Sequence, residues 1–166
     1  MKIEKIDYNI KSIDDSLRKD INEILVNEWG ATDIIIRGKV IDGTKLDGFV
    51  ALKDNKIIGL LTYMIENSEC EICSLNSFIE NKGIATALIN KVKESAKKKN
   101  CTRLKVVTLN YNIRAIEFYQ KRGFVLSNIY INAIENARKL KPAIPLYADN
   151  GLPIRDEIEF EMKLER

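Results

Sequence analysis

Two stretches of this sequence carry residue types whose spacing can do chemistry. In Glu80-Asn81-Lys82-Gly83-Ile84-Ala85-Thr86, polar and small residues lead directly into an amphipathic helical pattern. The first N–H groups of a helix have no partner within it, so such a turn can receive a pyrophosphate. Gly83 and Ala85 leave clearance for an anion to approach the amides of Lys82, Gly83, Ile84, Ala85 and Thr86. The turn is not a P-loop, because lysine precedes glycine and Phe78 stands where the first glycine belongs; nor does it have the flanking glycines of a dinucleotide fingerprint. In the second stretch, Asn112-Ile113-Arg114-Ala115-Ile116-Glu117-Phe118-Tyr119, Ala115 and Tyr119 lie four apart and share one helical face, with Asn112 on much the same face. A small residue beside a phenol leaves room for a ligand to reach the hydroxyl. Gly123-Phe124 follows as the helix exit.

The chain contains no histidine. Ser-His and Cys-His nucleophile pairs are therefore excluded, and a general base has to be a carboxylate, a lysine or an activated water. Glu69 and Glu71 lie two apart in an extended pattern and so share a face. Cys70 and Cys73, three apart on a strand, point to opposite faces, and Cys101 is the only other thiol, so no metal site is expected. Three cysteines, an odd number, fit a reducing compartment. Residues 1–7 have no apolar signal core, and no window approaches the run of about 18 apolar residues that a membrane span needs. The reading is cytoplasmic, with no membrane partner.

The elements that must position these residues follow from periodicity. Ile13, Leu17, Ile21, Ile24 and Leu25 recur at helical spacing, with Ser12 or Asp14 as cap and Gly30 beyond the end. Residues 29–45 are rich in turn formers and read as irregular. Residues 49–52 and 57–65 read as a hairpin about Lys53-Asp54-Asn55-Lys56, and residues 69–78 as a third strand. A helix marked by Ile84, Leu88, Ile89, Val92 and Ala96 comes next, then a strand at 103–109, a helix at 112–122 and a strand at 124–131. Ile134, Ala137 and Leu140 mark a short helix before Pro142. At the end, Ile158, Phe160, Met162 and Leu164 alternate with Glu157, Glu159, Glu161 and Lys163, the pattern of a half-buried strand. The segment 150–158 reads as simple strand entry, with a fold over an acceptor pocket or a homodimer edge as the alternatives.

An α/β (α+β mixed sheet) fold is expected, an antiparallel meander leading into a parallel strand pair with flanking helices. All 166 residues fit one domain. The net charge of +3 comes from 27 Lys and Arg against 24 Asp and Glu, so the surface as a whole is no nucleic-acid footprint. Lys97-Lys98-Lys99 complements a helix C-terminus and has no aromatic platform beside it.

The two chemistry-bearing stretches together resemble the GNAT N-acetyltransferase superfamily. Its signature is Gln/Arg-x-x-Gly-x-Gly/Ala opening a helix, then Asn-x-x-Ala-x-x-x-Tyr-x-x-x-Gly-Phe, and here Glu80, Gly83 and Ala85 precede Asn112, Ala115, Tyr119, Gly123 and Phe124. The resemblance implies acetyl-CoA as cosubstrate and a primary amine as acceptor, a small molecule in preference to a protein lysine or N-terminus. It implies that Cys73, Ser74 and Leu75 line the pantetheine arm, that Asn81, Lys82, Gly83, Ile84, Ala85 and Thr86 take the pyrophosphate, and that Asn112 touches the cofactor. Tyr119 would then protonate the departing thiolate, and Glu69, Glu71 or an ordered water would deprotonate the amine. A non-catalytic acyl-CoA sensor is the competing reading. Glu80 departs from the family's Gln or Arg; it is expected to turn to solvent, with Lys82, Lys121 and Arg122 compensating.

Overall fold

A computed structural model describes residues 5–165; residues 1–4 of the N-terminal stretch read above lie outside that range. In chain order the elements are β1 (Asn9–Ser12), α1 (Arg18–Trp29), β2 (Asp33–Ile36), β3 (Lys39–Asp42), β4 (Asp47–Lys53), β5 (Lys56–Glu66), β6 (Glu69–Ser77), α2 (Ile84–Lys98), β7 (Arg103–Leu109), α3 (Ile113–Lys121), β8 (Val125–Tyr130), α4 (Ala133–Leu140) and β9 (Glu157–Lys163). Seven strands form one mixed sheet in the order β1-β4-β5-β6-β7-β9-β8, and β2 and β3 form a separate hairpin. Every pairing in the large sheet is antiparallel except β6 with β7. The expected α/β architecture, with its meander and parallel pair, is the one observed.

The sheet buries both faces, and its alternating side chains sort into two cores. On one face Phe49, Ala51, Leu61, Ile72 and Phe160 pack with Leu88 and Val92 of α2 and Tyr119 of α3. On the other, Val50, Leu60 and Cys73 pack with Ile21 and Leu25 of α1 and Ile34 and Ile36 of β2. α1 ends as its sequence predicts, with Gly30 in the left-handed conformation at φ 79°.

Gly59 of β5 sets the height of α2 over the sheet. A Cβ there would stand 2.6 Å from Ile84 Cγ2 and 3.1 Å from Leu88 Cδ1, so the helix start could not sit where it does over any larger residue. Gly59→Ala is expected to cost about 1–3 kcal/mol, the usual range for overpacking. Because Ile84 is the first residue of α2, the same variant should weaken whatever the helix N-terminus binds. Denaturant midpoint and ligand affinity measured together check both effects.

Two readings of the sequence need correction. Residues 29–45 are not irregular: Ile34-Ile35-Ile36 and Lys39-Val40-Ile41 pair across Arg37-Gly38 as a tight hairpin. Both turn residues have positive φ, 51° and 75°, which is the geometry a two-residue hairpin demands. β9 is not half-buried either. Its apolar face meets the α2 and α3 core, but Glu157 and Glu159 on the opposite face are also buried, 1% and 4% exposed, because the β2–β3 turn covers them.

Candidate active site

The parallel pair β6–β7 is short, and its end opens the site. The ladder runs from Glu69 opposite Arg103 only to Ile72 opposite Val106, although β6 continues to Ser77 and β7 to Leu109. A register shift on β6 against β5, between the Tyr63–Ile72 and Thr62–Ser74 pairs, inserts Cys73 as an extra residue where the strands part. Such a bulge bends its strand and re-aims its side chains. Ile72 and Leu75, three apart, accordingly pack toward the same core. Beyond Ile72 the backbone edge of β6 that faces β7 has no ladder partner.

A cleft of about 590 Å³ occupies this opening on the α2 and α3 side. Leu75, Asn76 and Ser77 of β6 line it, with Asn81, Gly83, Ile84, Ala85 and Thr86 at the start of α2 and Asn112, Phe118 and Arg122 of the α3 region. Gly83 caps α2 at φ 73° and Asn81 has φ 59°, so two left-handed residues turn the chain to leave the first amides of α2 facing outward. The Arg122 guanidinium lies over the Phe118 ring, 3.9 Å from its centroid, and donates from Nε to Thr86 Oγ1 at 3.1 Å, placing a cation beside those amides. Asn76 Oδ1 is buried without a hydrogen-bond partner in the protein, an acceptor aimed at no donor of its own. A left-handed amide turn, a guanidinium beside it and an unladdered strand edge in one cleft suit a long ligand with an anionic end and amide groups.

Of the residues expected to hold a cofactor, Leu75, Asn81, Gly83, Ile84, Ala85, Thr86 and Asn112 line this cleft; Lys82 is not in its wall. Asn112 also caps α3, its Oδ1 accepting from Ala115 N at 3.2 Å. Ser74 is turned inward, its hydroxyl 2.5 Å from Thr62 Oγ1. Glu80 is exposed but, against expectation, does not leave the site: it lines the cleft with Arg114, whose guanidinium is 3.6 Å away, while Lys121 is occupied by Glu117.

Tyr119 is 7% exposed and sits among aromatic rings, edge-on to Phe118 and Phe124 and tilted against Phe160. Phe118, not Tyr119, forms the cleft wall at this helix. Burial alone pushes the phenol well above its ordinary range, so it is held protonated, as a proton donor must be, and is a weaker acid than an exposed tyrosine. A phenol and a thiol of ordinary acidity are nearly matched, within about 1.5 pK units, and burial widens that gap.

Glu71 and Glu69 are committed to ion pairs. Arg37 grips Glu71 with both guanidinium nitrogens at 2.6 Å, and Glu71 is 2% exposed. Glu69 meets Arg103 at 2.9 Å and Lys105 at 3.0 Å, contacts that hold its carboxyl below the usual range, the Arg103 bond foremost. These two glutamates border a separate cavity of about 70 Å³, together with Arg37 and Lys105.

Arg37 is the residue that sequence reasoning missed. It holds a left-handed backbone conformation at φ 51°, unusual for a long side chain, and its surroundings over-determine it. Its amide donates to Glu157 Oε2 at 3.0 Å and its guanidinium reaches Glu71 and, at 3.5 Å, Glu159. Tyr130 completes the cluster by donating to Glu159 Oε1 at 3.1 Å. The signal available was the X-Gly pair between two β-branched runs.

A second large cavity, about 390 Å³, lies on the hairpin side of the sheet. Cys73, Val107 and Thr108 form its floor at the β6–β7 opening, and Ile34, Ile35, Ile134 and Ile154 its walls. Asn112 borders both cavities. Ile144, Pro145 and Ile154 also contribute, so the segment before β9 folds over this cavity and is more than a strand entry. Burial pushes the Cys73 thiol up to about 12, which keeps it protonated and poorly nucleophilic.

Comparison with known proteins places these features in context. A family model described as "Acetyltransferase (GNAT) family" matches residues 15–124. Two proteins of Bacillus subtilis (strain 168), the uncharacterized YxbD and YdhI, are each 47% identical, over 139 and 141 residues, covering 83% and 84% of this chain and 87% and 88% of theirs. Among solved structures, an IAA acetyltransferase from Bacillus cereus ATCC 14579 superposes with a TM-score of 0.75 at 22% identity, covering 95% of this chain and 100% of its own. A GNAT family acetyltransferase from Elizabethkingia anophelis with acetyl-CoA bound gives 0.70 at 20% identity, covering 95% and 98%. At these identities the likeness is one of fold.

Proposed function

This chain belongs to the GNAT acetyltransferase family, and we propose that its 166 residues act as one domain that moves the acetyl group of acetyl-CoA onto a primary amine of a small molecule. The observation that carries the reading is the pair of cavities meeting at the β6–β7 opening: a polar cleft headed by helix amides on one side, and a mostly apolar cavity on the other.

In this reading the amides of Gly83, Ile84, Ala85 and Thr86 receive the pyrophosphate, aided by Arg122. The unladdered edge of β6 at Leu75 to Ser77 holds the pantetheine amides. Backbone N–H groups of the bulge at Cys73 serve the acyl oxygen, where developing negative charge needs a donor. Tyr119, kept protonated by burial, supplies the proton to the leaving sulfur. Glu71 acts through Arg37, fixing the hairpin that walls the acceptor cavity.

The test is thiol release from acetyl-CoA in the presence of a panel of amines. Amine-dependent release is expected, with the acetylated amine detected by mass. Tight binding of acetyl-CoA without amine-dependent release would instead make the protein a sensor of acyl-CoA.

A further inference from the structure

Glu157 is the one fully buried carboxylate in the wall of the hairpin-side cavity; the other charged side chains there, Glu28, Asp33 and Lys141, belong to more exposed positions. Among the described residues its carboxylate accepts only from the Arg37 amide, at 3.0 and 3.3 Å, and the Arg37 guanidinium is spent on Glu71 and Glu159. Lone pairs on Glu157 thus remain for a ligand, in a place where an unpaired charge is expensive. The rest of the wall is apolar and aromatic, Trp29, Ile34, Val107, Tyr111, Ile134 and Ile154 among it.

We propose that this cavity selects a monoamine with an apolar or aromatic body, and that Glu157 receives its ammonium group and acts as the general base. This rests on the acetyltransferase reading and deepens it. A volume of about 390 Å³ admits a small molecule, at the lower end of ordinary ligand sites. A polyamine's second ammonium would have to leave the apolar walls for Glu28 or Asp33 at the exposed edge of the cavity, a solvated pairing that returns little for the burial of the chain.

The chemistry balances with the residues present. The ammonium gives one proton to Glu157, the freed nitrogen pair forms the C–N bond to the acetyl carbon, and the C–S bond breaks with its electron pair on sulfur. The sulfur takes the second nitrogen-bound proton, by way of Tyr119, and Glu157 returns its proton to solvent. Burial raises the Glu157 carboxyl from its ordinary range, with the Arg37 amide and charge opposing the rise and Glu71 adding to it, the direction that strengthens a proton acceptor.

Two variants and two readouts test this. Glu157→Gln keeps an acceptor for the Arg37 amide, so the fold is retained. It is expected to lower kcat/KM for apolar monoamines such as phenethylamine by roughly 10²–10⁴-fold, with acetyl-CoA affinity unchanged. Calorimetry with phenethylamine and no acyl donor should show binding to the unaltered protein and at least tenfold weaker binding to the variant. Ile144→Trp, which fills the cavity from its loop, should raise KM for phenethylamine at least tenfold. Spermidine should be a substrate at least a hundredfold poorer than phenethylamine. Acetylation of spermidine in preference to apolar monoamines, or a Glu157→Gln enzyme within threefold of the original, would overturn the inference while leaving the acetyltransferase reading intact. Failure of every amine to release thiol would sink both.

Discussion

Arg37→Ala should destabilise the protein by about 3–5 kcal/mol, the cost of removing one partner from a buried ion pair and leaving the other charge behind. Glu71 is 2% exposed and both its oxygens face the guanidinium at 2.6 Å, so no water replaces the lost partner without disturbing the hairpin. For a chain of this length the melting temperature should fall by roughly 6–20 °C. Arg37→Lys should recover only part of the loss, because an ammonium cannot meet both oxygens in one plane. The double variant Arg37→Ala, Glu71→Gln should be more stable than Arg37→Ala alone, since the orphaned charge is gone. Thermal unfolding of the original, Arg37→Ala, Glu71→Gln and the double variant gives the coupling energy. If Arg37→Ala melts within a degree or two of the original, the ion pair is not what fixes the hairpin to the sheet.

The hairpin was hidden in the sequence for the same physical reason that Arg37 matters. Gly, Asp and Thr flank the two short β-branched runs, and their turn chemistry outweighed the alternation of Ile34-Ile35-Ile36 and Lys39-Val40-Ile41. Glu157 and Glu159 were hidden by a sound rule: glutamates that alternate with apolar residues on a strand normally face water. Here a distant turn residue 120 positions away in the chain covers them, and no local pattern encodes that contact. The helices, the long meander and the parallel pair were legible because each has its own periodicity and its own stop signals, Gly30, Asn100 and Gly123 among them. The cleft at α2 was legible because a helix N-terminus presents its amides by geometry alone. The hairpin-side cavity was not, since five separate stretches of the chain build it.

Tyr119→Phe should lower kcat by roughly 10²–10³-fold, within the usual contribution of a positioned proton donor, and leave acetyl-CoA affinity within about twofold. Stability should hardly change. The ring contacts to Phe118, Phe124 and Phe160 survive the substitution, and burial is the only cause acting on the phenol's acidity, with no hydrogen-bonded neighbour contributing. Removing a hydroxyl that makes no bond in the folded protein is close to neutral. A variant equally stable, equally able to bind acetyl-CoA and yet slow isolates the proton-transfer step from any structural effect. Equal kcat in the two proteins would mean that the thiolate leaves without help from this residue, as the loosened match in acidity would then explain.

The central claim is that the opening between β6 and β7 is where the thioester lies. A crystal structure with CoA bound tests it most directly. The account predicts pyrophosphate oxygens at the amides of Gly83 to Thr86, the pantetheine along Leu75 to Ser77, and the sulfur within about 3–4 Å of the Tyr119 hydroxyl. CoA found outside the β6–β7 opening, or its sulfur separated from Tyr119 by an intact wall of Phe118, would contradict it.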